Sequence, residues 1–247
     1  MSPGKRIAFF LPNIFTALNM ACGFSSMVFA SKGMFYEGAV ILIVGAIFDS
    51  VDGRVARLMG TASSFGEQFD SLSDAVSFGV APSFLIYHKY LHSYGRLGAV
   101  VSFFFLLCAA LRLARFNANI TKVRSDFFQG LPSPGAALAI IGLILLADKF
   151  PIVDDYSYLA LIYTSFYAVL MVTTVPFHSF KNSELIKKYK RALLFIFFVG
   201  CALTFIYYKI MFALGMAGYV LFSLSYYLIK RKEFGDAFQW SEDTDID

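Results

Sequence analysis

Asp49, Asp52, Asp70 and Asp74 lie in one short stretch, "DSVDGRVARLMGTASSFGEQFDSLSDA" (49–75), beside some of the most apolar sequence in the chain. Asp49 and Asp52 are three residues apart and Asp70 and Asp74 four apart. On a helix either spacing puts two carboxylates on one face. Antiparallel helical neighbours would then gather all four. One ionised aspartate in mid-membrane costs about 2.5–3.5 kcal/mol on insertion scales, and four that repel one another cost more, so a cation is expected among them. Nearby arginines are one source and a divalent metal is the other. Hard carboxylate oxygens without histidine or cysteine favour magnesium, manganese or calcium over zinc or copper. Four carboxylates are enough for two ions, a recurring device for clamping attacking and leaving oxygens at phosphorus. Gly53, Ala56, Gly60 and Gly66 leave room beside the acids for a nucleotide, or simply permit close helix packing.

The elements that must position these acids are membrane helices. Of 247 residues 58% are hydrophobic, 29 are phenylalanine and only 15% are charged, far outside the soluble norm. A span needs about 20 mainly apolar residues. Such stretches occur at about 12–31, 35–58, 70–91, 96–117, 133–149, 156–176, 191–208 and 211–230. They are continuously apolar rather than alternating, so helices and not a barrel satisfy the backbone. The expected fold is therefore all-α, a polytopic membrane helix bundle of about eight transmembrane helices. Residues 1–232 would form a single transmembrane domain, with an acidic polar tail over 233–247.

With the N-terminus inside, sixteen of the 21 lysines and arginines fall in cytoplasmic segments and five on the other side. That bias places both termini in the cytoplasm. The net charge of +4 is then a matter of lipid headgroups and not of nucleic acid. The first apolar run follows Lys5 and Arg6, yet it lacks a small-residue cleavage site and carries Asn13, Thr16 and Asn19, so it reads as a retained span. Cys22, Cys108 and Cys201 stand singly, arguing against both a disulfide framework and a zinc site. His88 and His92 are an i,i+4 pair on the opposite side from the aspartates and without a third ligand, better read as a wet loop. Tyr207, Tyr208, Tyr226 and Tyr227 read as interfacial belts.

Taken whole, the acidic stretch reads D-x2-D-G-x2-A-R-x8-G-x3-D-x3-D over Asp49 to Asp74. This resembles, at every fixed position, the signature of the CDP-alcohol phosphatidyltransferase family, with a likeness spanning roughly residues 10–176. The resemblance implies that an alcohol displaces CMP from a CDP-linked lipid. Asp49, Asp52, Asp70 and Asp74 would hold two Mg2+ or Mn2+ ions, with Asp74 also serving as general base. Gly53, Arg57, Ser63 and Gly66 match positions at the CDP portion, and Thr16 would close over the nucleotide.

The segments "LPNIFTALNMACGF" (11–24), "RLARFN" (112–117) and "FFQGLPSPGAA" (127–137) are similar to the integral-membrane phosphatidylserine synthase branch. That likeness implies CDP-diacylglycerol and L-serine as substrates, and by family resemblance a homodimer. It also implies the inner membrane of a bacterium, with the active site facing the cytoplasm. Arg112 and Arg115 are the nearest basic candidates for the serine carboxylate, which a guanidinium matches in bidentate fashion; as positive-inside anchors they would snorkel instead. Gly130, Pro132 and Ser133 sit where helix breaks at the entry to the fifth span, so exposed backbone could face a polar substrate. Two other readings stand beside this one. The same chemistry could serve glycerol phosphate or an inositol phosphate, which would call for a denser basic pocket. A cation transporter would instead spread acids through the membrane depth.

Overall fold

The computed structural model describes residues 3–61, 63–118, 127–178 and 206–230. The expected span over 191–208, Cys201 and the acidic tail lie wholly or almost wholly outside them. Helix α1 (Pro3–Ser31) turns through Gly33, at φ +75°, into α2 (Phe35–Met59). Helix α3 (Ser64–Asp74) runs without a break through a π-helical turn (Ala75–Val80) into α4 (Ala81–Lys89). A 3-10 turn (Leu91–Tyr94) leads to α5 (Gly95–Ala118). Then follow α6 (Ser133–Lys149), the short α7 (Ile152–Asp155), α8 (Tyr158–Val172) and, after the undescribed segment, α9 (Tyr208–Lys230). One small departure from an all-helical chain is an antiparallel ribbon, β1 (Phe127–Gln129) on β2 (Pro176–His178), with Phe128 opposite Phe177.

Among the described residues, three helical stretches are long and apolar enough to cross a membrane: Phe10–Ser31, Leu91–Ala118 and Tyr208–Ile229. Helices α6 and α8, at 17 and 15 residues, are apolar but shorter. Helix α2 has the length, at 25 residues, but carries the charges of the acidic stretch at its far end.

Helix α6 forms the centre of the bundle. Ala136, Ala137, Ala139, Ile140, Ile141, Ile144 and Leu145 are all buried, as an all-round apolar helix must be. Outward faces carry exposed Phe103, Ile162 and Leu221, suited to hydrocarbon. Small residues set how closely the helices approach. A Cβ at Gly45 would lie 3.0 Å from Cys22 Cβ and 3.1 Å from Asn19 Oδ1, and one at Gly23 would lie 2.8 Å from Ser77 Oγ. Two hydroxyls bolt the α3–π run to α1: Ser73 Oγ donates to the Thr16 carbonyl (3.0 Å) and Ser77 Oγ to that of Asn19 (2.9 Å). These contacts place the acids of α2 and α3 beside the same turn of α1.

The opposite end is closed by polar pairs at helix termini. Lys89 and Tyr90 meet Asp154, Lys209 meets Asp148, and the Tyr36 and Tyr208 hydroxyls lie 2.8 Å apart. Tyr208, read as a belt residue, thus also joins α9 to α2. The His88 ring packs on Phe84, with centroids 4.3 Å apart.

Candidate active site

Helix α2 ends where Gly60 takes up the left-handed conformation (φ +62°) and its N–H turns back to the carbonyls of Ala56 and Arg57, the usual service of a glycine at a helix C-terminus. Three residues later Ser63 caps α3, its Oγ accepting the Gly66 N–H at 3.1 Å. The chain therefore reverses tightly between two well-ended helices, and Asp49 and Asp52 are returned to the neighbourhood of Asp70 and Asp74.

One carboxylate oxygen from each of Asp49, Asp70 and Asp74 lies within 4.8 Å of the others. Asp52 is beside this trio but outside it. Its side chain is buried (4% exposed), with Oδ2 taking the Thr16 hydroxyl at 2.9 Å and Oδ1 the Gly53 N–H at 2.5 Å. The expected gathering of four is thus three clustered acids and a fourth held by its own donors. Thr16, expected to close over a nucleotide, donates its hydroxyl to Asp52. Asp70 Oδ1 and Asp74 Oδ1 are buried with no hydrogen-bond partner among the described residues, and the ion pairs among those residues lie at the other end of the bundle. Buried carboxylate oxygens without donors are costly. Hard oxygens that converge in this way fit a divalent cation.

The face beside the acids is open. A Cβ at Gly53 would meet nothing within 4 Å, while Arg57 folds back to donate from Nε to the Gly53 carbonyl at 3.0 Å. Glu67 is exposed.

The structure separates the two arginines that the sequence left equal. Arg112 is buried (9% exposed) and donates to Ser133 Oγ at 3.2 Å. It lies over the Phe116 ring and within electrostatic reach of Asp74. Arg115 points elsewhere. Its guanidinium donates to the carbonyls of Gln129, Met171 and Val172, each at 3.1 Å, and to that of Thr173 at 3.5 Å. It caps the C-terminus of α8, where a cation is favoured, and ties that end to the strand before α6.

Gly130 lies in the same clamp. Its N–H donates to the Val175 carbonyl, and its φ of +77° is in the left-handed region. A Cβ there would come within 2.5 Å of the Met171 carbonyl oxygen. Pro132 then caps α6 without a side-chain hydrogen bond, and Ser133 opens the helix. Gly130→Ala is expected to cost at least about 1–2 kcal/mol for the backbone alone, seen as a lowered unfolding temperature in detergent; an unchanged temperature would mean that the segment relaxes freely. Asn117 Nδ2 donates to Ser71 Oγ at 2.9 Å, linking the arginine-bearing helix to the acidic one. No spacing in the sequence signalled that link.

A model of the CDP-alcohol phosphatidyltransferase family matches residues 9–180. A CDP-diacylglycerol–serine O-phosphatidyltransferase of Helicobacter pylori is 37% identical over 175 residues, covering 70% of this chain and 74% of that protein. An enzyme of the same name from Methanocaldococcus jannaschii is 37% identical over 167 residues, 68% of this chain and 73% of its own. An archaetidylserine synthase of Methanothermobacter thermautotrophicus is 33% identical over 182 residues, 72% and 74% respectively. In fold, the chain resembles the crystal structure of Mycobacterium tuberculosis phosphatidylinositol phosphate synthase with CDP-DAG bound. The TM-score is 0.51 at 19% identity, over 70% of this chain and 94% of that one.

Proposed function

The chain belongs to the CDP-alcohol phosphatidyltransferase family, and from that premise we propose that it transfers the phosphatidyl group of CDP-diacylglycerol to the hydroxyl of L-serine, giving phosphatidylserine and CMP. One observation carries the reading: the Asp49–Asp70–Asp74 cluster and the buried Arg112–Ser133 pair share one end of the bundle, with Arg112 in electrostatic reach of Asp74. A carboxylate cluster for the pyrophosphate thus adjoins a cation for an amino-acid carboxylate. The relatives named for serine products favour this acceptor over a phosphorylated alcohol.

Asp49, Asp70 and Asp74 would hold the divalent ions, with Asp52 alongside. Two Mg2+ or Mn2+ ions bound there supply Lewis-acid stabilisation of the charge on the pyrophosphate and on departing CMP. The rest falls to the protein. Asp74 accepts the proton of the serine hydroxyl as its oxygen bonds to phosphorus and the bond to the CMP oxygen breaks. Thr16 and the Gly53 N–H hold Asp52 in one orientation. The bare Gly53 face admits the cytidine diphosphate, with Arg57, Ser63 and Gly66 around it. Arg112 presents a planar fork to the serine carboxylate, next to the start of α6, where backbone N–H groups favour an anion. Arg115 fixes the Gln129–Ser133 segment by its backbone. The positive-inside bias puts this end of the bundle on the cytoplasmic face.

The test is a product assay with purified protein, CDP-diacylglycerol, magnesium or manganese, and labelled serine, glycerol phosphate and inositol phosphate in parallel. Serine alone is expected to release CMP and enter lipid. CMP release only with a phosphorylated alcohol, or with none of the three, would overturn the reading.

A further inference from the structure

Helix α9 lies beyond the family-matched residues, yet it packs along α6, the helix that begins at the acceptor side of the site. A Cβ at Gly142 would come 2.8 Å from the Ala213 nitrogen, and one at Gly135 would come 3.3 Å from Met216 Cε. The two helices therefore run in opposite directions, and α9 moves toward the start of α6 as its numbering rises. Tyr219 is one turn beyond Met216 on the same face. Val220 and Ser223 beside it are buried, Ser223 to 1% exposure and without a hydrogen-bond partner for its hydroxyl among the described residues. Gly215 and Gly218, on the other side of the helix, have nothing within 4 Å of a built Cβ.

Tyr219 itself is half-buried, packs against the bundle core and stands close enough to Arg112 for phenol and guanidinium to interact electrostatically. Arg112 in turn holds Ser133 at the start of α6. A tyrosine is suited to such a wall, because its ring packs against apolar neighbours while the hydroxyl needs a polar partner.

We propose that α9 closes the acceptor side of the site and that Tyr219 is a specificity-determining residue, its hydroxyl joining the Arg112 guanidinium in holding the carboxylate of the amino-acid acceptor. This rests on the serine-transfer reading above. A carboxylate accepts several hydrogen bonds, and a planar fork leaves lone pairs for a second donor at its side. Acceptors without a carboxylate gain nothing from that donor.

The experiment compares Tyr219→Phe with the wild-type chain in full-length protein, measuring KM for serine and KM for CDP-diacylglycerol separately. Loss of one hydrogen bond to a charged group is expected to raise the serine KM about tenfold, with the CDP-diacylglycerol KM unchanged. In an Arg112→Lys background the same substitution is expected to add less than in wild type, because both residues act on one carboxylate. A serine KM within about twofold of wild type overturns the assignment, as does a parallel rise in both KM values, which marks a packing role only. CMP release from wild-type protein with serine is the control. If it is absent, the serine-transfer reading fails; if it is present and the serine KM is unmoved, the role of α9 fails alone.

Discussion

Asp49→Asn and Asp70→Asn are each expected to lower kcat for CMP release by about 10²–10³-fold, the scale of removing one preorganised electrostatic contact at a reacting centre. Each substitution nearly preserves shape while removing a charge from the three-acid cluster, whose ligand oxygens lie within 4.8 Å of one another. Folding is expected to survive or improve, because the clustered acids repel one another and Arg112 offsets that repulsion at Asp74 through space, without a salt bridge among the described residues. A rise in unfolding temperature without added metal, together with loss of the further stabilisation that magnesium or manganese gives, is the second expected result. If either variant kept near wild-type turnover at ordinary magnesium, that aspartate would not be a ligand.

Asp52→Asn is a contrasting case, since its oxygens are already served by Thr16 and the Gly53 N–H. Equal fixed positions in the motif therefore do different work in the fold. The motif made the acids and their common helix faces legible, because i,i+3 and i,i+4 spacing survives any detail of packing. It could not tell that Thr16, from a distant helix, would be the partner of one acid and not of the others. The family pattern also picked out Ser63, but its service as the cap of α3 is a matter of local backbone that the pattern alone does not express.

The arginines show where the sequence runs out. Arg112 and Arg115 are three apart on one helix and equally basic, so spacing ranks them the same. What separates them is where the ends of α8 and β1 come to lie, because those ends deliver four carbonyls to Arg115 and none to Arg112. Long-range placement of backbone acceptors leaves no local periodicity to read. Tyr219 carried no signal for the same reason, since an aromatic in a greasy helix looks like any other until the neighbour is known. The π-helical turn after Asp74 also had no signal. Such turns insert one extra residue into a helix and cluster at functional sites; here the wider turn begins directly after Asp74 and leads into α4. The acids gather at one end of α2 and α3, which is the arrangement expected of a reaction centre and not of an ion path spread through the bilayer.

Asp74→Asn gives the sharpest separation between holding a metal and moving a proton. Asp74 is the last residue of α3, the acid within electrostatic reach of Arg112, and so the one nearest the place proposed for the acceptor. If it takes the serine proton, the variant is expected to bind CDP-diacylglycerol in the presence of metal within a fewfold of wild type, while kcat falls by about 10²–10⁴-fold. The two effects can be read independently, binding by calorimetry in detergent and turnover by CMP release. The asparagine keeps one carbonyl oxygen for a ligand position but cannot accept a proton at neutral pH, which is why the binding arm should hold while the chemical arm collapses. Asp49→Asn in the same pair of measurements is expected to weaken lipid binding as well as turnover. Equal losses of lipid affinity in the two variants would make Asp74 chiefly a ligand, and the proton would then have to leave through another acid of the site, with Asp70 and its unpartnered Oδ1 the next in line.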